Sequence, residues 1–235
     1  VRRMLLWQKA LGEGTRALLI RTATYFDMAE STEDEAERAR LHGLVELLTP
    51  VCKAFASDQG FRSTELSLQT LGGYGYIKEY PVEQYLRDNK IASIYEGTNG
   101  IQALDLIGRK LIKNQAAFQA FIGQVAGLCG KHQDHPVLKK DMALLGAAHG
   151  ALLGAAMYLG QAGSEDRMVP IANATPFLDL FGRVTVGWLL LEQASIAYPK
   201  LVEVCKAAGV DPSDAHALGQ LCDDNDDARY FDGKI

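Results

Sequence analysis

Residues 44–55 read LVELLTPVCKAF. Leu44, Leu47, Leu48, Val51, Cys52 and Phe55 recur at intervals of three and four, which places them on one face of an α-helix. A stripe of that width faces a core. Pro50 falls inside it and predicts a kink, because proline removes one backbone bond and crowds the preceding turn. The same period continues outward. Residues 2–28 predict a long helix with Met4, Trp7, Leu11, Leu18 and Ala23 among its apolar positions. STEDEAERAR (31–40) opens the next helix, with Ser31 or Thr32 as its cap and acids in its first turn. A further helix over 62–71 ends at Gly72–Gly73, since glycine accepts the left-handed conformation of a helix stop.

Further along, GGYGYIKEYP (72–81) reads as a loop. Pro81 then stands at a favoured first-turn position of a short helix. IYEGT (94–98) is a second loop, and Ile101, Leu104, Ile107 and Leu111 mark a helix over 99–112. Thr98 can cap that helix, as can Asn99 in a capping box with Gln102. KNQAA (113–117) is the expected domain boundary. Helices follow over about 118–130, 135–163 and 173–208, the middle one rich in alanine and glycine, which suits close helix packing. No period-2 strand is long enough to count. The fold class expected is all-α: a four-helix bundle over 1–115 and a second helical bundle over 116–235.

Composition narrows the function. The 235 residues carry a net charge of −5, and no basic stripe interleaved with aromatics is present, which argues against nucleic acid as a partner. The strongest apolar run, VGWLLL (186–191), falls short of the roughly 20 residues that span a bilayer. Cys52, Cys129, Cys205 and Cys222 lie far apart and form no C-x-x-C pair. They read as reduced residues of a cytoplasmic protein. The acids of SDAHALGQLCDDNDDA (213–228) match no calcium loop, and His132 and His135 lie in a segment broken by Pro136, so no metal site is expected. GGYGY lacks the spacing of a dinucleotide loop and reads as a glycine helix stop. The chain opens inside a helical pattern without methionine, as a piece of a longer polypeptide would.

Glu96 is the candidate for chemistry. A carboxylate on a loop against Ile91, Ala92 and Ile94 would lose hydration, which raises its pKa and suits a general base. Gly97 would let a ligand approach the backbone. On the residues alone, however, a single glutamate before a helix is also an ordinary helix-start acid.

The stretch LQTLGGYGYIKEYPVEQYLRDNKIASIYEGTNGIQ (68–102) resembles the C-terminal helical domain of acyl-CoA dehydrogenases. Q-x-x-GG-x-G, EYPVE, RD-x-KI and IYEGT all occur at the family's spacing. Residues 118–235 resemble, more loosely, the extra helical domain of a subgroup that includes methylthiopropanoyl-CoA dehydrogenase-like enzymes. The resemblance implies α,β-dehydrogenation of an acyl-CoA thioester. Glu96 would be the α-proton base, and the β-hydride would pass to N5 of FAD. The backbone N–H of Glu96 would polarise the thioester carbonyl together with a flavin hydroxyl. Tyr95 and Gly97 would line the thioester pocket. Gln69, Gly72 and Gly73 would touch the FAD of the neighbouring subunit, and Thr98 the flavin. Gly100 departs from the family's usual glutamine and is left out of the site. Arg87 and Asp88 would form a structural ion pair. Electron-transfer flavoprotein is the implied acceptor, and a homo-dimer or tetramer the implied assembly. The family's N-terminal helical and middle β-domains have no counterpart here, so the chain by itself is expected to be inactive. The competing readings are a helical oligomerisation module and a redox-silent relative.

Overall fold

The computed structural model describes all of residues 1–235 and contains helices and no strands. Helix α1 (Arg2–Ser31) and helix α2 (Glu35–Leu71) form an antiparallel hairpin. Side-chain contacts fix that direction: Ser67 Oγ donates to Gln8 Oε1 near one end, and Thr22 Oγ1 lies 3.2 Å from Cys52 Sγ further along. The cap of α2 is Asp34, not Ser31 or Thr32. Its carboxylate accepts from the Ala36 and Glu37 N–H groups at 2.9 and 3.3 Å. Helix α2 also runs through the buried Pro50 to Leu71 without interruption, so the separate helix expected over 62–71 is its last part. Burial on the stripe around Pro50 outweighs the loss of one backbone bond.

After a 3₁₀ segment (Gly72–Tyr76) come α3 (Val82–Lys90), a second 3₁₀ turn (Ile91–Ser93) and α4 (Asn99–Asp105). A π turn (Leu106–Lys110) joins α4 to the short α5 (Leu111–Lys113). Of KNQAA only Asn114 lies outside helix, and α6 (Gln115–Lys131) begins directly after it. Then follow α7 (Lys139–Glu165), α8 (Met168–Ala172), α9 (Ala174–Ala208), α10 (Ala215–Asp224) and α11 (Asp226–Asp232).

The principal core is continuous across residue 115. Leu44, Val51 and Phe55 of α2 share it with Phe121 of α6 and with Phe181 and Trp188 of α9. Two glycines make the contact with α9 possible. A Cβ on Gly182 would lie 2.3 Å from the Phe55 ring, and a Cβ on Gly14 would lie 2.3 Å from Val186. Phe121 stacks on Phe181 at 4.7 Å and meets Trp188 edge-on at 5.8 Å. Arg21 of α1 pairs with Glu192 of α9 and lies over the Trp188 ring. The second half of the chain therefore completes the core that the first half begins.

No single apolar run spans a bilayer, but α7 and α9 as whole helices are long and apolar enough to do so. A core helix passes the same test, and α9 here buries Phe181, Val184, Trp188 and Leu189. The four cysteines are free thiols. Cys205 is buried and the other three are half-buried.

Candidate functional site

The 3₁₀ turn at Ile91–Ser93 ends helix α3 and leads the chain into the turn Ile94–Gly97. Within that turn Glu96 has φ +56°, the only non-glycine residue in the chain with a positive φ, and Gly97 follows at φ +84°. For a residue with a Cβ the left-handed region costs roughly 1–2 kcal/mol. Strain of this kind persists only where the surroundings hold it, and it gathers at functional sites.

The surroundings are specific. Lys53 Nζ donates to the Gly97 carbonyl at 2.6 Å and to Asn99 Oδ1 at 2.8 Å. Asn99 Nδ2 in turn donates to Ser57 Oγ at 2.9 Å and to the Ala54 carbonyl at 3.2 Å. Gln102 Nε2 donates to the Glu96 carbonyl at 3.3 Å. Thr98 is the cap of α4, its Oγ1 accepting from the Ile101 N–H at 3.3 Å. The capping box between Asn99 and Gln102 does not form, because both side chains are engaged in holding the turn. The turn is thus tied to the middle of α2 by carbonyl and side-chain contacts, and none of them uses the Glu96 carboxylate or the Glu96 N–H. Both remain available to a ligand.

The apolar cover expected over Glu96 is not supplied by this chain. Glu96 is exposed, and Ile91, Ile94 and Tyr95 beside it are each more than half exposed. The burial expected of Glu96 is therefore absent from these 235 residues. Tyr74, Tyr76, Tyr80, Tyr85 and Ile101 are also exposed. A surface this rich in exposed aromatic and aliphatic groups is typical of a contact with another protein element or a ligand.

Gln69, Gly72 and Gly73 lie at the far end of α2. The Gln69 carbonyl accepts from the Gly72 N–H, and Gly72 takes φ +61° as the helix stop. All three are exposed, and a Cβ on either glycine would meet nothing within 4 Å. Gly75 is different: it is buried, and its Cβ would lie 2.4 Å from the Leu68 carbonyl oxygen. The segment therefore folds back tightly onto α2 at a position the motif reading left unassigned. Gln69 stands sixteen residues beyond Lys53 on one helix, about 24 Å along its axis at 1.5 Å per residue. Within one chain the structure brings Tyr95, Glu96, Gly97 and Thr98 together and leaves Gln69, Gly72 and Gly73 apart from them.

Lys53 and Asn99 are functional-site residues that the motif reading missed. The signal for Lys53 was a lysine set next to Ala54 and Phe55 on a core helix. Arg87 and Asp88, expected as an ion pair, carry none within 4.0 Å in this chain; the adjacent Lys90 lies over the Phe61 ring at 4.9 Å. Neighbours in sequence on a helix point in different directions. His132 and His135 are both half-buried. His135 Nδ1 accepts from the Val137 and Leu138 N–H groups at 3.3 and 3.1 Å, and its ring meets Tyr198 at 4.8 Å. No group of histidine, cysteine and carboxylate residues could hold a metal ion.

Residues 5–112 match the family described as acyl-CoA dehydrogenase, C-terminal domain, and residues 115–235 match the one described as acetyl-CoA dehydrogenase C-terminal like. The chain is 36% identical over its whole length to the broad-specificity linear acyl-CoA dehydrogenase FadE5 of Mycobacterium tuberculosis, covering 37% of that protein. It is 35% identical to a butyryl-CoA dehydrogenase of Syntrophomonas wolfei, covering all of this chain and 36% of the relative. Over 86% of the chain it is 36% identical to the 3-methylmercaptopropionyl-CoA dehydrogenase of Ruegeria pomeroyi, covering 35% of it. The chain thus spans little more than a third of these relatives. In fold it is similar to Caenorhabditis elegans ACDH-11, solved with C11-CoA, with a TM-score of 0.65 at 22% identity over 87% of this chain and 32% of that one.

Proposed function

The chain belongs to the acyl-CoA dehydrogenase family, and from that premise we propose that it is the C-terminal helical part of an FAD-dependent enzyme that introduces an α,β double bond into an acyl-CoA thioester. Glu96 is the base that takes the α-proton. Its carboxylate is unpaired and exposed on a turn held from beneath, so it is free to meet a substrate carbon without first breaking an ion pair. The Glu96 N–H, which donates to nothing in the chain, is the hydrogen-bond donor to the thioester carbonyl. A backbone donor fixed in this way stabilises charge that develops on the carbonyl oxygen as the proton leaves. Tyr95 and Gly97 border the same turn and line the thioester end of the site.

FAD, when bound, supplies the acceptor for the hydride that leaves the β-carbon. The residues present fit such a group: the Gly72–Gly73 backbone is open to close approach, and the Thr98 O–H points to no other acceptor in this chain. Thr98 would hold the flavin of its own subunit, and Gln69, Gly72 and Gly73 that of a neighbour. The separation of these two groups along α2 supports a homo-dimer or tetramer, in which each site draws on two chains. Exposed Leu5, Leu6, Leu19, Ile20 and Phe26 on α1 favour assembly as well. Desolvation of Glu96 then comes from substrate, cofactor and neighbouring elements, so the isolated chain does not turn over substrate. The chain divides into domains at 1–115 and 116–235, close to the gap between the two family matches, which end at 112 and begin at 115. Electron-transfer flavoprotein as acceptor and a cytoplasmic location belong to the same reading.

The observation that carries this function is the left-handed Glu96, pinned through its carbonyl neighbours while its carboxylate and N–H stay free. The test is anaerobic bleaching of the visible flavin band by acyl-CoA thioesters, made on the longer polypeptide that carries this chain. Glu96→Gln is expected to retain the flavin band and lose bleaching by at least about a thousandfold in rate. Bleaching at the unaltered rate would remove Glu96 from the mechanism.

A further inference from the structure

We propose that a groove between the Leu104–Ile112 stretch and the second half of α7 binds a fatty carboxylate, its alkyl chain along the groove and its carboxylate on Arg167. This site is separate from the turn at Glu96: none of residues 69–98 lines it. The groove encloses about 960 Å³, near the upper end of the roughly 300–1,000 Å³ usual for small-molecule sites. Ile107, Leu111 and Phe118 line it from the α4–α6 side, and Met157, Ile171 and Phe177 from the α7–α9 side. Gly108 and Gly160 widen it, since a Cβ on either would meet nothing within 4 Å.

Three observations converge on an anionic, chain-like ligand. The lining is mainly aliphatic and aromatic, with Gln115, Gln119 and Ser164 as its uncharged polar groups. Water in such a groove has few partners, and an alkyl chain gains by replacing it. Arg167 is the single ionisable side chain of the lining, it is exposed at the α7–α8 corner, and it has no ion pair. The neighbouring Asp166 is committed to its own turn, where Oδ1 accepts from the Met168 N–H at 2.8 Å. A guanidinium left free beside an apolar groove complements a carboxylate, which it can bind through two hydrogen bonds. Finally, one wall is the π turn Leu106–Lys110. Such turns interrupt a helix at a cost and occur mostly at functional sites.

The test is calorimetric titration of the chain with decanoate below its micelle concentration, run beside decan-1-ol and followed by the methyl resonances of Met157 and Ile171. One saturable equivalent that shifts those methyls is expected. Arg167→Gln is expected to weaken decanoate about tenfold and leave decanol unchanged. Gly160→Leu, which puts a bulky side chain into the groove at a position where a Cβ meets nothing within 4 Å, is expected to abolish both. The proposal is overturned by an absence of saturable binding, by shifts confined to other parts of the chain, or by an Arg167→Gln variant that binds decanoate as before. It is also overturned if sedimentation shows a dimer whose contact buries Met157 and Ile171 and excludes decanoate, since the groove would then be an interface between copies. Should Gly160→Leu fail to fold, the decanoate and decanol comparison in Arg167→Gln decides alone.

Discussion

Lys53 Nζ lies 2.6 Å from the carbonyl oxygen of Gly97, so a lysine in the middle of the longest helix holds the residue directly after Glu96. The same ammonium reaches Asn99 Oδ1 at 2.8 Å, and it thereby fixes both sides of Thr98. The contact joins a core element to a turn whose own residues are all exposed. It explains how Glu96 stays in a left-handed conformation without any contact to its carboxylate.

Replacing Lys53 by methionine keeps most of the side-chain volume and removes both hydrogen bonds. Hydrogen bonds from a charged donor contribute on the order of 1.5–3 kcal/mol, so the turn should loosen more than the core. In the longer flavin-containing polypeptide, Lys53→Met is expected to slow anaerobic bleaching at least about tenfold while the flavin content stays constant. Rapid-mixing absorbance measures this, and an unchanged rate would show that the turn is held by other means.

Glu96 pays for its position in backbone energy. Glycine adopts φ +56° freely. Glu96→Gly is therefore expected to stabilise the chain by about 1 kcal/mol in urea unfolding while eliminating turnover. Opposite signs for stability and activity are the signature of strain kept for function. A loss of stability on this substitution would contradict the strain.

Gly182 tests whether the two sequence regions share one core. The Cβ of an alanine there would stand 2.3 Å from the Phe55 ring, which is itself buried. Overpacking of this kind costs about 1–3 kcal/mol. Gly182→Ala should lower stability by that amount, and Phe55→Leu in the same chain should restore part of it. The coupling between the two, read from a double-mutant cycle of urea midpoints, is expected to exceed about 0.5 kcal/mol. Strict additivity would mean that α2 and α9 do not meet as described.

His135 gives the corner between α6 and α7 a pH dependence. Its pKa lies below the usual 6.5, first because burial disfavours the charged ring and second because His132 is near. Its Nδ1 must also be unprotonated to accept from Val137 and Leu138. Above pH 6.5 the ring is neutral in both folded and unfolded chains, so the contribution is complete. As the pH falls below 6.5 the unfolded chain takes up the proton first, and stability is lost down to the folded pKa. His135→Gln should flatten that part of a stability-against-pH curve, measured by thermal unfolding between pH 5 and 8 (approximate limits set by the ordinary histidine range).

The family and the all-helical class were legible in the chain itself. Helix periods depend on near neighbours, and the stripe Leu44–Phe55 appears as buried core because apolar spacing of three and four has one geometric meaning. The motif around Glu96 was legible for the same reason: its residues lie within one continuous stretch. Other local features were misread because competing local signals were equal on paper. Ser31, Thr32 and Asp34 are all good caps, and only the path of the chain between α1 and α2 selects Asp34. Residues 62–71 read as a helix of their own, and the helix that passes the buried Pro50 runs on to Leu71.

What the tertiary structure alone decided are the relations between residues far apart in sequence. Lys53 to Gly97, Gly182 to Phe55 and Arg21 to Glu192 follow no spacing rule. They arise because helices pack wherever small and large side chains interlock, and that choice depends on all the elements at once. The core that crosses residue 115 is the largest consequence. From the sequence, KNQAA (113–117) reads as a domain boundary, and no local signal says which helices pack across it. In three dimensions α9 returns across it to complete the core beneath α2, and the turn that presents Glu96 rests on that same helix.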